Sequence, residues 1–131
     1  MSEADVDLVR RGFEALEVGD AEALIPLVHP EFEMTTPAGL AAEPDTYRGQ
    51  EGVRRYFDSF YEAMDEVGIR AGGFEDLGDG RVMTPSTLRA RGRSTGLVAE
   101  QSLVLVWVIK DSLAYRLHVF ATEAEARAAT A

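Results

Sequence analysis

A chain of 131 residues has room for one domain with a buried core and not for two. Asp and Glu outnumber Lys and Arg by 23 to 13, and the net charge of -10 repels phosphate backbones and anionic lipid surfaces, so neither nucleic acid nor a membrane is an expected partner. Without cysteine the chain can make no disulfide, thiolate nucleophile or Cys-ligated metal site; with no basic-then-apolar leader and no run long enough to span a bilayer, the expected location is cytoplasmic.

Val6, Val9, Phe13 and Leu16 recur at helical spacing behind Ser2 and Asp5, which form a capping-box-like start. Gly19 supplies the stop, so the spacing predicts a first helix over 3–18. Asp20 caps a short second helix carrying Leu24, Leu27 and Val28, kinked by Pro26 and ended by His29-Pro30. Phe32 and Met34 alternate with Glu33 in a short strand closed by Pro37 and Gly39, and a loop passes through Pro44 and Tyr47. Gly52 to Val67 forms the third helix, whose apolar stripe of Val53, Tyr56, Phe57, Phe60, Tyr61 and Met64 reads as core. Four strands follow in an antiparallel meander, separated by turns at Gly78-Asp79-Gly80, Gly92 to Gly96 and Lys110-Asp111-Ser112. Thr122 with Glu125 opens a final short helix rich in Ala.

From Gln101 to Ile109 one strand face carries Leu103, Leu105 and Trp107 and the other Val104, Val106 and Val108. A face open to water alternates with polar residues, so this strand is expected to be covered on both sides. One layer of helices covers one side only, which points to a second subunit over Val104, Val106 and Val108 and hence to a homodimer. In Met83-Thr84-Pro85-Ser86-Thr87, Pro85 cannot donate to a ladder and implies an edge, a bulge or a broken strand.

Several stretches form a recognisable set: Arg10-Arg11-Gly12-Phe13-Glu14-Ala15-Leu16 running to Gly19-Asp20, then Pro30-Glu31-Phe32-Glu33, and Tyr47-Arg48-Gly49 with Gly52-Val53-Arg54-Arg55-Tyr56-Phe57. Gly80-Arg81-Val82 and Trp107-Val108-Ile109-Lys110-Asp111 leading to Tyr115-Arg116-Leu117 complete it. Together they resemble the SnoaL-like polyketide cyclases and ketosteroid isomerase-like proteins of the nuclear transport factor two superfamily. The resemblance spans nearly all of 1–131 and implies an α+β, cone-shaped, cystatin-like fold: a curved, mainly antiparallel sheet packed on three helices around an apolar pocket, with dimers through the outer sheet face.

The resemblance also implies positions at which catalytic groups stand in relatives. The isomerase's general base falls on Thr36, its oxyanion Tyr on or beside Gly12, and its protonated Asp on Leu105. The Arg and Asp pair of limonene epoxide hydrolase-like relatives falls on Ser86 and Leu88, and their last-strand Asp on Val119. None of these residues can do the acid or base work of its counterpart, so the catalytic residues are unknown. The implied pocket wall is Met34, Thr36, Tyr56, Thr84, Ser86, Leu105, Trp107, Leu117 and Val119, apolar with a few hydroxyls, which suits a small apolar or aromatic ligand. A filled core without a cavity is the alternative.

Among single residues, His118 has the side chain whose ordinary titration suits chemistry near neutral pH, but parity puts it with Arg116 and Phe120 on the outer face. His29 stands at a helix end, and neither His has the spacing of a metal ligand. Ser86 lies in no Gly-x-Ser-x-Gly elbow, and Arg89, Arg91 and Arg93 form a solvated rim. Two functions stand open: an isomerase, cyclase or dehydratase that works by positioning, with no cofactor or metal, or a binding or scaffold domain without chemistry.

Overall fold

The computed structural model describes residues 3–18, 20–35 and 46–130. Ser2, Gly19, Thr36, Pro37, Gly39 and Pro44, each given a role above, lie outside the described residues. Helix α1 (Glu3–Val18) buries Leu8, Val9, Phe13 and Leu16, the stripe that a 3.6-residue period brings to one side. Asp20 Oδ1 accepts from the Ala23 N–H at 3.2 Å and starts α2 (Ala21–Leu24).

The second helix is shorter than its apolar spacing suggested. After Leu24 the chain tightens into a 3-10 turn over Ile25–Leu27, and Val28 is already extended, at φ -102° and ψ 129°. Pro26 has no N–H to continue an α-helix, and β-branched Val28 favours the strand. His29 and Pro30 therefore lie inside β1 (Val28–Thr35), not at a helix end. A bulge accommodates them: Val28 pairs with Ala114 and Glu33 with Arg116, so β1 advances five residues against two on its partner.

The next described element is an unforeseen strand, β2 (Thr46–Arg48), with Tyr47 fully buried at its centre. Helix α3 (Gly49–Ala63) starts three residues before the expected Gly52. Gly49 takes φ +65°, and a Cβ there would stand 3.3 Å from the Pro30 carbonyl, so glycine permits the close entry to the helix. The helix also ends early, because Met64 opens β3 (Met64–Ala71) and does not extend the helical stripe.

Five strands then replace the four expected. Gly72 and Gly73 divide the first into β3 and β4 (Glu75–Gly78), followed by β5 (Arg81–Gly92), β6 (Val98–Lys110) and β7 (Leu113–Phe120). Strand β3 pairs with Ser86 to Gly92 and β4 with Arg81 to Met83, both on the same edge of β5. Pro85 stands at the gap between them, where the Gly72 N–H donates to its carbonyl at 2.6 Å. A strand residue directs its N and O to the same neighbour, so the donor that Pro85 lacks would have pointed into this gap.

The sheet runs β2-β1-β7-β6-β5-β3, antiparallel except for the β1–β7 pair, and it is curved and unclosed. Helices α1 to α3 contribute to the large core with the inner side chains of the sheet. The outer face has a smaller core of Met83, Val104, Val106 and Ala126, with Leu77 and Phe120 at its margin. Ala126 belongs to α4 (Glu123–Thr130), so the cover expected from a second subunit over Val104 and Val106 comes from this chain itself. The Glu125 N–H donates to Thr122 Oγ1 at 3.2 Å to cap α4, and Arg127 grips both oxygens of Glu75 at 2.9 Å.

Candidate functional site

The inner residues do not fill all the space between sheet and helices. A cavity remains in which the centre of a water-sized sphere has about 40 Å³, more than the roughly 10–15 Å³ that one water needs. Met34 of β1, Tyr56 of α3, Leu105 and Trp107 of β6, and Leu117 and Val119 of β7 all line it. Phe32, Leu103, Ile69, Val53, Phe57 and residues of α1 and α2 complete the wall. Two simple signals marked most of these: Phe32 and Leu103 share strand parity with Met34 and Leu105, and Val53 and Phe57 share the helical stripe of Tyr56.

Thr84 and Ser86 stand elsewhere. Both are buried, but their hydroxyls join hydrogen bonds within the sheet and neither lines the cavity. The Trp107 Nε1–H donates to Thr84 Oγ1 at 3.1 Å, the Thr84 hydroxyl reaches the Leu105 carbonyl at 3.4 Å, and Ser86 Oγ donates to the Thr84 carbonyl at 2.9 Å. Thr36, at the position of the isomerase base, is outside the described residues. Gly12 faces α2, where a Cβ would lie 3.5 Å from the Leu24 side chain, in ordinary contact. Leu88, at the epoxide hydrolase position, is core.

The described lining thus has two polar side chains, Tyr56 and Trp107, and no carboxylate, His, Lys or Arg. Burial pushes the Tyr56 phenol well above its ordinary range, and the neighbouring Tyr47 adds to the shift. The phenol stays protonated at neutral pH and cannot serve as a base. Its ring meets Tyr47 and Phe57 edge-on, at 5.2 and 5.6 Å between centroids. The wall is aliphatic and aromatic, and its described residues offer no group to remove a proton.

The histidines lie apart from the cavity. His118 stands on the outer face beside Phe120 with one side open to water; its partial burial, followed by the nearby Arg116, lowers its pKa. His29 fastens the β1 bulge: its Nδ1 accepts from the Glu31 N–H at 2.9 Å, and Nε2 lies 3.5 Å from Asp111. Arg89, Arg91 and Arg93 are exposed, and Arg93 pairs with Asp65 at 2.9 Å. Among the described residues no three of His, Cys, Asp and Glu gather as metal ligands would, and no helix is long and apolar enough to cross a membrane.

A curved, open sheet with three helices on its inner side defines the α+β cone fold of nuclear transport factor two-like proteins. The chain belongs to the SnoaL-like domain family, whose model matches residues 9–117. Similar solved structures include an NTF2-like protein of unknown function from Burkholderia pseudomallei, at 22% identity and TM-score 0.80, with 96% of this chain and 95% of that one covered. TerC, co-crystallised with polyporic acid, is 18% identical at TM-score 0.79 over 96% and 97%. A putative SnoaL-like polyketide cyclase from Jannaschia is 14% identical at TM-score 0.75 over 98% and 93%. At these identities the likeness establishes the fold alone. Among curated proteins, none matches the sequence.

Proposed function

We propose that this SnoaL-like domain binds a small apolar or aromatic molecule in the inner cavity and holds it without chemistry of its own. The observation that carries the reading is the lining: aliphatic and aromatic side chains, with Tyr56 and Trp107 as the polar members and no carboxylate, His, Lys or Arg among the described residues. An apolar cavity of this kind excludes ordered water and favours apolar guests. TerC, of similar fold, was co-crystallised with polyporic acid, which supports a ligand-binding reading of this fold.

Catalysis as an isomerase, cyclase or dehydratase is the second reading, and Tyr56 favours it. A phenol that stays protonated can donate to a carbonyl oxygen and stabilise charge that develops there. The base would then have to come from the substrate or from the segment 36–45. Homodimerisation through the outer face also stays in the proposal, on the narrower ground of the half-buried Val108 and Phe120. Sedimentation at high micromolar concentration tests it, and a monomer would remove it.

The test of ligand binding uses Trp107, the only Trp, which lines the cavity. Titration with apolar aromatic probes should change its emission saturably, and native mass spectrometry of freshly purified protein should show a bound small molecule. Emission unmoved by every probe, with no copurified ligand, would defeat the reading. Turnover of a copurified compound would favour the enzyme instead.

A further inference from the structure

Trp107 lines the cavity, yet its one strong donor is spent elsewhere. The indole Nε1–H donates to Thr84 Oγ1 at 3.1 Å, and Thr84 is fully buried and outside the cavity lining. Thr84 pairs across the sheet with Leu105 and Val82 with Trp107, so the indole reaches diagonally between β6 and β5 to find this acceptor. The Thr84 hydroxyl also lies within 3.4 Å of the Leu105 carbonyl, to which it can donate while its oxygen lone pairs serve the indole. Phe13 meets the indole ring edge-on at 5.9 Å and Phe74 meets Phe13 in the same way at 5.8 Å, which fixes the ring from the helix side. The cavity therefore meets apolar indole surface, while the N–H is turned into the sheet.

We infer that Thr84 is a specificity-determining residue that acts through Trp107. By holding the indole N–H it keeps a hydrogen-bond donor out of that wall, so the cavity favours an apolar ring over a similar ring carrying a carbonyl oxygen. The inference rests on the ligand-binding reading of the cavity. In Thr84→Val the side-chain shape is nearly kept and the acceptor removed. A buried N–H without a partner is unfavourable, so in this variant a turn of the indole that brings the N–H to the cavity is favoured, and a ligand carbonyl there relieves it. Thr84→Ser keeps the hydroxyl and restores the original preference.

Toluene and benzaldehyde serve as the probe pair, titrated into the unmodified protein, Thr84→Val and Thr84→Ser. The preference for toluene should fall roughly tenfold in Thr84→Val and return in Thr84→Ser, the scale of one hydrogen bond. The single indole N–H proton resonance reports the lock independently: it should move upfield and exchange faster in Thr84→Val alone. A moved resonance with an unchanged probe ratio overturns the specificity role, and an unmoved resonance overturns the lock. If the resonance moves but neither probe binds any version, the cavity reading fails and takes the specificity role with it. Thr84→Ala provides the same comparison should Thr84→Val not fold. In the unmodified protein, an indole N–H that exchanges as fast as in an unfolded chain overturns the lock directly.

Discussion

The two faces of β6 are equally apolar in sequence and are built in different ways. On the inner face Leu103, Leu105 and Trp107 pack into a core assembled from three helices and most of the sheet. On the outer face Val104 and Val106 lie beneath the eight residues of α4, in a small cluster whose helical member is Ala126. An isolated helix of that length is marginal in water, so α4 depends on this patch and on the Arg127–Glu75 fork for its position. Beyond the patch the outer face turns polar, with Glu100 and Ser102 exposed. One strand thus carries a deep, shared core on one side and a shallow, local one on the other.

The comparison is tested most strongly at Trp107. Trp107→Ala should cost about 3–5 kcal/mol in urea unfolding, since it removes a large buried ring between Phe13 and the sheet. A loss near that of a surface residue would mean that the inner face is no more cohesive than the outer. Val106→Lys should cost less, about 1–3 kcal/mol, although Val106 is fully buried. The lysine can reach water if α4 lifts, and amide hydrogen exchange should show α4 opening while the inner strands stay protected. Loss equal to that of Trp107→Ala, with exchange rising throughout, would erase the distinction.

Smaller still is the effect of the latch. Arg127→Glu replaces the fork with a like charge facing Glu75, so α4 should exchange faster with little change in the unfolding midpoint. Acidification acts in the same direction. Hydrogen bonds from Arg127 and Arg54 hold Glu75 and Glu22 below the usual carboxylate range, so their contribution is present above the unfolded pKa and lost as pH falls through the folded one. His118, lowered first by burial and then by Arg116, binds its proton more weakly when folded, so stability rises with pH in its range as well. Thermal midpoints should therefore decline from about pH 7 to pH 4, and Arg127→Glu should flatten the acidic part of that decline. A midpoint that rises on acidification would contradict these assignments.

Much of the fold was legible because its signals are local. Phe13 and Leu16 marked α1, the Gly78 to Gly80 and Asp111-Ser112 turns marked strand ends, and parity placed His118 opposite Leu117 and Val119. Boundaries failed where two local preferences competed. Val28 could extend either a helical stripe or a strand, and Met64 stood at helical spacing from Phe60 while also opening β3. Strand β2 left too short a pattern to read.

By itself the sequence determined which residues are apolar, how they alternate and where the chain must turn. The tertiary structure alone decided what each apolar face meets: α4 over Val106, three helices over Trp107, and a cavity that side chains distant in the sequence leave between them. It also decided that Thr84 serves Trp107 and does not line the cavity. The physical reason is that periodicity is set by bonds along the chain, whereas burial, hydrogen-bond partners and empty volume are set by segments that meet only after folding.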